Sequence, residues 1–287
     1  MEKKTSQMII KQKSSVKYKD TLFRTLFREK DRAIELCNAI AGTDYPKDVS
    51  VVMCDMENAL LRRYNDLAFA VEGQLIVMCE HQSTLNPNMP LRFLPYITDT
   101  LYSWFVNTNE IYKSTLLKIP TPQFYVLYNG KEPLSYDVLK LSDSFILDPS
   151  VSSMELTVKV LNVNHGSGSE VLEKSVALDG YAYLIAQIRN LESIGYTRDK
   201  AIKDGIKKCI DEGILVDFLR ENFEEVAAML VWEYSQDAEF KALREEGEEK
   251  GRVEIAGNLL AMGMPISQIA DATKLSIEEI ESLNGNS

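Results

Sequence analysis

The sequence predicts an α/β protein with a central mixed β-sheet, flanking helices and a helical C-terminal region. Short apolar runs at 75–79 and 122–128 have the length of buried strands. Apolar residues recur at the helical period from about 20 to 41, and again from about 168 to 232. With 287 residues, 45% of them hydrophobic, the chain can bury one full core and carry a small additional tail.

The first predicted elements are a helix, a strand and a hairpin. The helix near 20–41 ends at Gly42, because a glycine and a proline follow its apolar stripe within a few residues. A strand is expected at Val49–Met53. Two further apolar runs are separated by Gly73 and Gln74, and this spacing predicts two antiparallel strands joined by a tight turn.

Three more elements follow in the middle of the chain. A proline-containing loop leads into a long predicted helix near 91–114. The run 122–128 predicts a buried strand closed by the turn dipeptide Asn129-Gly130. Residues 154–160 alternate between apolar and polar, which predicts one further strand at an edge of the sheet.

The rest of the chain is predicted to be helical, with breaks near Gly195 and Gly213. The changes in composition suggest a basic flexible segment, a main domain, an acidic helix or linker, and a small helical module. Their expected ranges are 1–15, 16–232, 233–254 and 255–287.

The C-terminal module contains short amphipathic segments at 255–261, 266–273 and 277–283. Ser267 and Ser276 are candidate N-caps, the second in capping-box spacing. Short helices joined by a tight turn resemble a helix-turn-helix. However, Lys274 is the only basic residue after Arg252, so phosphate contacts are few. A protein-contact module that joins copies into a homo-oligomer is therefore favoured over a DNA reader.

The predicted hairpin carries a candidate metal site. Asp66 lies at the start of its first strand and Glu80 near the end of its second, so the two carboxylates can lie side by side. Gln82 follows Glu80 by two residues and projects to the same face of the strand. Two carboxylates that face one cavity are ligands suited to a divalent cation.

The words around these residues resemble the bacterial recombination-promoting nuclease family, which is also described as a transposase family. They are 63–67 (RYNDL), 79–84 (CEHQST) and 86–92 (NPNMPLR), and the resemblance covers roughly 16–260. It implies a restriction-endonuclease-like fold with a PD-(D/E)xK site, DNA as the substrate and a role in recombination. Here Asn65 stands in place of the motif's proline, and Gln82 in place of its lysine.

The chemistry also follows from the residues. A bound Mg²⁺, or Mn²⁺ or Ca²⁺, could activate water and neutralise the transition state of phosphodiester hydrolysis. Asp66, Glu80 and the backbone carbonyl of His81 are the expected ligands, and Gln82 would orient the attacking water. In the alternative interpretation, Asp66 caps a turn and Glu80 is an edge-strand charge.

Several further residues are accessory candidates. Glu35 on the first helix could reach the metal, although a solvated helix face explains it equally well. Arg92 and Tyr96, four residues apart on one helix face, could contact a phosphate or could simply pack the helix. The side chain of His81 points away from Glu80 and Gln82, so a structural role is expected for it.

Composition limits the function in other ways. The formal net charge of −11 opposes DNA binding at long range, but residues 1–32 hold ten Lys or Arg against four acidic residues. Only two histidines and no CxxC pair are present, so a zinc site is not expected. No run of 18 apolar residues and no signal-peptide core occur, which favours a cytoplasmic protein without membrane contact. The functional alternative is a weak or inactive nuclease-fold protein that binds DNA or a partner protein.

Overall fold

The structure, a computed structural model, describes residues 21–54, 57–58, 63–64 and 67–284. At 57–58, 63–64, 236–245 and 284 it describes the backbone alone. The chain divides into two compact units after Leu230.

A six-stranded mixed sheet forms the centre of the first unit, as predicted. The strands that the structure describes are β1 (Val51–Met53), β2 (Glu57–Asn58), β3 (Arg63–Tyr64), β4 (Leu67–Val71), β5 (Leu75–Gln82), β6 (Thr121–Tyr128), β7 (Val138–Lys140) and β8 (Thr157–Asn162). The strand order of the sheet is β1-β4-β5-β6-β8-β7, and β2 and β3 form a separate two-stranded sheet.

The predicted hairpin is confirmed as β4 and β5. Its register pairs Leu67 with Cys79 and Val71 with Leu75. The turn between them is tight because Glu72 and Gly73 have φ angles of 51° and 62°, in the left-handed region. On its other side β5 runs parallel to β6, so the hairpin is joined to a parallel part of the sheet.

The prediction of an edge strand at 154–160 is wrong in one respect. β8 pairs with β6 on one side and with β7 on the other, so it is internal and β7 forms the edge. β7 spans only three residues, which is too short for an alternating pattern to be recognised in the sequence.

Helices of the first unit cover both faces of the sheet. The helices that the structure describes are α1 (Leu22–Phe27), α2 (Lys30–Ala41), α3 (Met89–Thr100), α4 (Glu170–Glu173), α5 (Val176–Ser193), α6 (Arg198–Asp211), α7 (Val216–Glu221), α8 (Phe223–Ala261), α9 (Ile266–Thr273) and α10 (Ile277–Asn284), of which α9 and α10 belong to the second unit. On one face, Met89 and Phe93 of α3 pack into a core cluster with Ala68, Met78 and Val126.

Two predicted helices differ from those observed. The helix expected at 20–41 is divided, because the extended backbone of Glu29 ends α1 and its side chain accepts a hydrogen bond from Asp31 N to begin α2. The helix expected at 91–114 ends at Thr100 and continues only as a π-helix, Leu101–Phe105. Beyond it, the Asn107 side chain accepts from Asn109 N at 3.0 Å, and this local bond competes with a helix.

The second unit buries a small core of its own. Ala256 of α8, Ile269 of α9, Leu275 and Ile280 of α10 form its centre. The capping box at Ser276 is confirmed: Ser276 N donates to Glu279 Oε2 at 2.7 Å, and Glu279 N donates to Ser276 Oγ at 3.2 Å.

Ser267, by contrast, does not cap α9. The helix already begins at Ile266, and Pro265 is its N-cap residue. Among the described residues, no helix is both long enough and apolar enough to cross a membrane.

Candidate functional site

The candidate site lies at the carboxyl end of β5. Glu80 and Gln82 project to the face of the sheet that α3 covers, since Met78 two residues earlier belongs to that same core cluster. Glu80 as a whole is only 3% exposed. A buried carboxylate is costly unless a cation or hydrogen-bond donors compensate its charge.

The compensating cation is Arg92. Its Nη2 lies 2.6 Å from Glu80 Oε2, and its side chain is 24% exposed. Arg92 reaches this position because α3 begins at Met89, shortly after β5, so the first turn of the helix lies above the end of the strand. One guanidinium edge therefore contacts the buried carboxylate while part of the side chain is accessible to solvent.

Gln82 completes this cluster. With its amide oriented to satisfy both ends, the carbonyl oxygen accepts from Arg92 Nη1 at 3.2 Å and the nitrogen donates to Thr84 O at 3.2 Å. The reverse orientation would place the Gln82 N–H group against the guanidinium of Arg92, which is also a donor. Gln82 Nε2 would then donate only to the weak thioether of Met89, at 2.8 Å, and to Glu80 Oε2, at 3.5 Å. The first orientation is therefore favoured, and Arg92 contacts Glu80 and Gln82 together.

His81 lies on the opposite face of β5, as predicted. Its ring stacks on Phe23 of α1, with centroids 5.4 Å apart, and meets the Tyr181 ring of α5 edge-on at 5.1 Å. Tyr181 Oη lies 3.3 Å from His81 Nε2. Burial, followed by the positive charge of Arg189, lowers the pKa of His81 to about 4, so the imidazole is neutral near pH 7.

Sequence reasoning missed Arg189, which holds the loops next to the site. Its guanidinium donates to Asn129 Oδ1 at 2.8 Å and to Asn164 Oδ1 at 3.2 Å, and it also bonds the backbone oxygen of Asn129. Asn129 N in turn donates to Gln82 O at 2.9 Å. A sequence signal existed, because Arg189 lies four and eight residues after the apolar Ile185 and Tyr181 and so falls on their buried stripe.

The other accessory candidates have different surroundings. Glu35 accepts hydrogen bonds from Ser175 Oγ at 2.7 Å and from Ala177 N at 2.9 Å, so its carboxylate caps the start of α5. Tyr96 is 3% exposed and belongs to the core cluster beneath α3. Of the three accessory candidates, Arg92 pairs with Glu80.

Asp66 lies outside the described residues, so its place in the site stays a prediction. Within the parts of the chain that the structure describes, no group of three or more His, Cys, Asp or Glu side chains could hold a metal. The Glu80 carboxylate at this strand end is an oxygen ligand of the kind that Mg²⁺ prefers. The guanidinium beside Glu80 also shows that a positive charge is accommodated there.

One known protein is similar over nearly the whole chain. The recombination-promoting nuclease RpnA of Escherichia coli (strain K12) is 24% identical over 293 aligned positions, which cover 91% of this chain and 95% of that protein. It bears the name of the family that the sequence words around Glu80 indicated. No protein-family profile matches the chain, and no solved structure matches it significantly.

Proposed function

We propose that this protein is a metal-dependent endonuclease that hydrolyses phosphodiester bonds in DNA during recombination, with a restriction-endonuclease-like domain. The observation that carries the proposal is the nearly fully buried Glu80 carboxylate at a strand end, beside a cation and beside Gln82. The similarity to a protein named as a recombination-promoting nuclease supports the same class of reaction.

Asp66, Glu80 and the backbone carbonyl of His81 would hold the metal. Asp66 directly precedes Leu67, which pairs with Cys79, the neighbour of Glu80. A bound Mg²⁺ would supply a water of lowered pKa and neutralise the charge that develops on the phosphate. Gln82 would orient the attacking water through its amide, and it cannot act as the general base because it has no basic group.

A nicking assay on supercoiled plasmid DNA tests this proposal. The parent protein should nick the plasmid with Mg²⁺ or Mn²⁺ and stop when a chelator is added. Asp66→Asn and Glu80→Gln should each lower the rate by roughly a hundredfold or more, because each removes a ligand charge. Glu110→Gln, which breaks an exposed ion pair with Lys113, is a matched control that should keep full activity.

Circular dichroism of the same variants separates loss of chemistry from loss of fold. Undiminished nicking by folded Asp66→Asn or Glu80→Gln would refute the assignment of the site. DNA binding without cleavage in the parent, under every metal condition, would instead favour the inactive nuclease-fold alternative.

A further inference from the structure

Arg92 raises a question about how the site binds its metal. Its guanidinium already occupies the side of Glu80 that faces Gln82, with Nη2 2.6 Å from Glu80 Oε2. The carboxylate is almost fully buried, and α3 packs over the sheet at this point. A divalent cation that binds the same oxygen would be brought close to the guanidinium charge, and two like charges at such a distance repel each other strongly.

We propose that Arg92 is a mobile substrate-binding residue that exchanges places with the metal. While the metal is absent, the guanidinium neutralises the Glu80 carboxylate. With that carboxylate holding a divalent cation, the guanidinium of Arg92 would be free to bind a phosphate of the DNA. This inference rests on the proposed function, since it needs both a metal and a phosphodiester at the site.

The geometry of Arg92 suits this exchange. Its side chain is 24% exposed, whereas that of Glu80 is 4% exposed, so the cation of the pair has access to solvent and the anion does not. Its long stem leaves the first turn of α3, and rotation about that stem moves the charge without moving the helix. A guanidinium fork also matches two oxygens of a phosphate as well as it matches a carboxylate and an amide oxygen.

The exchange makes metal binding and DNA binding mutually favourable. Metal binding would free Arg92 for the phosphate, and phosphate binding would withdraw Arg92 from the Glu80 carboxylate. By linkage, the metal must then raise the affinity for DNA by the same factor by which DNA raises the affinity for the metal. In the PD-(D/E)xK motif, a lysine usually stands at the strand position that Gln82 occupies here. Arg92, on α3, would supply that positive charge instead.

Metal binding without DNA is the direct test. We would titrate Mn²⁺ alone into the parent, Arg92→Gln and Arg198→Gln by calorimetry. Arg92→Gln should bind Mn²⁺ about fivefold more tightly or better, because the competing charge is gone. Arg198→Gln makes the same change of charge at an exposed pair with Glu192, and should match the parent. Equal or weaker Mn²⁺ binding by Arg92→Gln would overturn the exchange and make Arg92 a residue that merely holds the carboxylate.

The second measurement is the coupling between the two ligands. In the parent, Mn²⁺ should tighten binding of a short DNA duplex, measured by fluorescence anisotropy in Ca²⁺-free buffer with a phosphorothioate substrate. In Arg92→Gln, this gain should be smaller, because only the metal's own attraction for the phosphate would remain. An unchanged gain in the variant would overturn the exchange even if the metal affinities differ.

A third variant covers the case in which Arg92→Gln does not fold. Arg92→Lys keeps the charge but cannot contact both Glu80 and Gln82 through a fork. It should bind Mn²⁺ more tightly than the parent, and weaker binding would overturn the exchange. If neither the parent nor any Arg92 variant binds Mn²⁺, the proposed function itself fails. If all bind it equally, only the exchange fails.

Discussion

The buried imidazole of His81 should make the stability of the first unit depend on pH. Folding keeps this ring neutral, since burial and the charge of Arg189 lower its pKa from an ordinary 6.5 to about 4. As pH falls below 6.5, the unfolded chain takes up a proton that the folded chain refuses, so the unfolded state is stabilised. The contribution of His81 is therefore fully present above pH 6.5, and it is lost progressively as pH falls toward 4.

The size of this loss follows from the two pKa values. Each unit of pKa difference corresponds to about 1.4 kcal/mol of unfolding free energy. Between pH 8 and pH 5, the contribution of His81 to the unfolding free energy therefore falls by about 2 kcal/mol. His81→Phe should remove this dependence while keeping a ring that can stack on Phe23. Its stability near pH 8 should fall, because the contact with Tyr181 Oη is lost.

Urea denaturation at a series of pH values measures the effect. The informative quantity is the difference in unfolding free energy between parent and variant, because carboxylates elsewhere titrate in both proteins. This difference should shrink by about 2 kcal/mol between pH 8 and pH 5. His165→Gln removes the other histidine of the chain but keeps His81, so the loss of stability that His81 causes between pH 8 and pH 5 should persist in it. Parallel curves for the parent and His81→Phe would refute the argument.

Four further outcomes are expected. In the nicking assay, Gln82→Ala should cost less than loss of a metal ligand and Gln82→Lys should keep or raise the rate; complete inactivation by lysine would show that the site requires a neutral side chain. Gly130→Ala should destabilise by about 3 kcal/mol in urea titrations, because its Cβ would lie 2.2 Å from a backbone oxygen, whereas Gly247→Ala, with open space around it, should not destabilise. Ser276→Ala should cost about 1 kcal/mol in the thermal unfolding of the second unit, and no change would argue against the capping box. Deleting 252–287 should lower the mass by light scattering if this unit joins copies, while the salt slope of DNA binding changes by less than about two; a larger change would favour the helix-turn-helix interpretation.

Local patterns were sufficient to predict the hairpin and the faces of β5. A turn glycine between two apolar runs and the alternation of strand side chains are both contained within a few residues. They placed Glu80 and Gln82 on one face and His81 on the other, as the structure has them. The three-residue β7 was missed because its pairing with β8 depends on the tertiary fold.

The contacts that surround the site could not be read from local patterns. Arg92 meets Glu80 across 12 residues of chain, and Arg189 meets Asn129 across 60. Such pairs depend on where a helix crosses the sheet, and a single sequence does not fix that crossing. Glu35 shows the same limit, because its capping partner Ser175 lies 140 residues away.

The contacts of α5 have a consequence for how this protein matures on the ribosome. Tyr181 and Arg189 reach His81 and Asn129 only after the chain has been synthesised through α5. Nascent chains and proteolytic fragments that end before residue 176 lack both of these supports at the edge where Glu80 and Gln82 lie. Truncated products would therefore present Glu80 and Gln82 at a strand end that neither of these contacts supports.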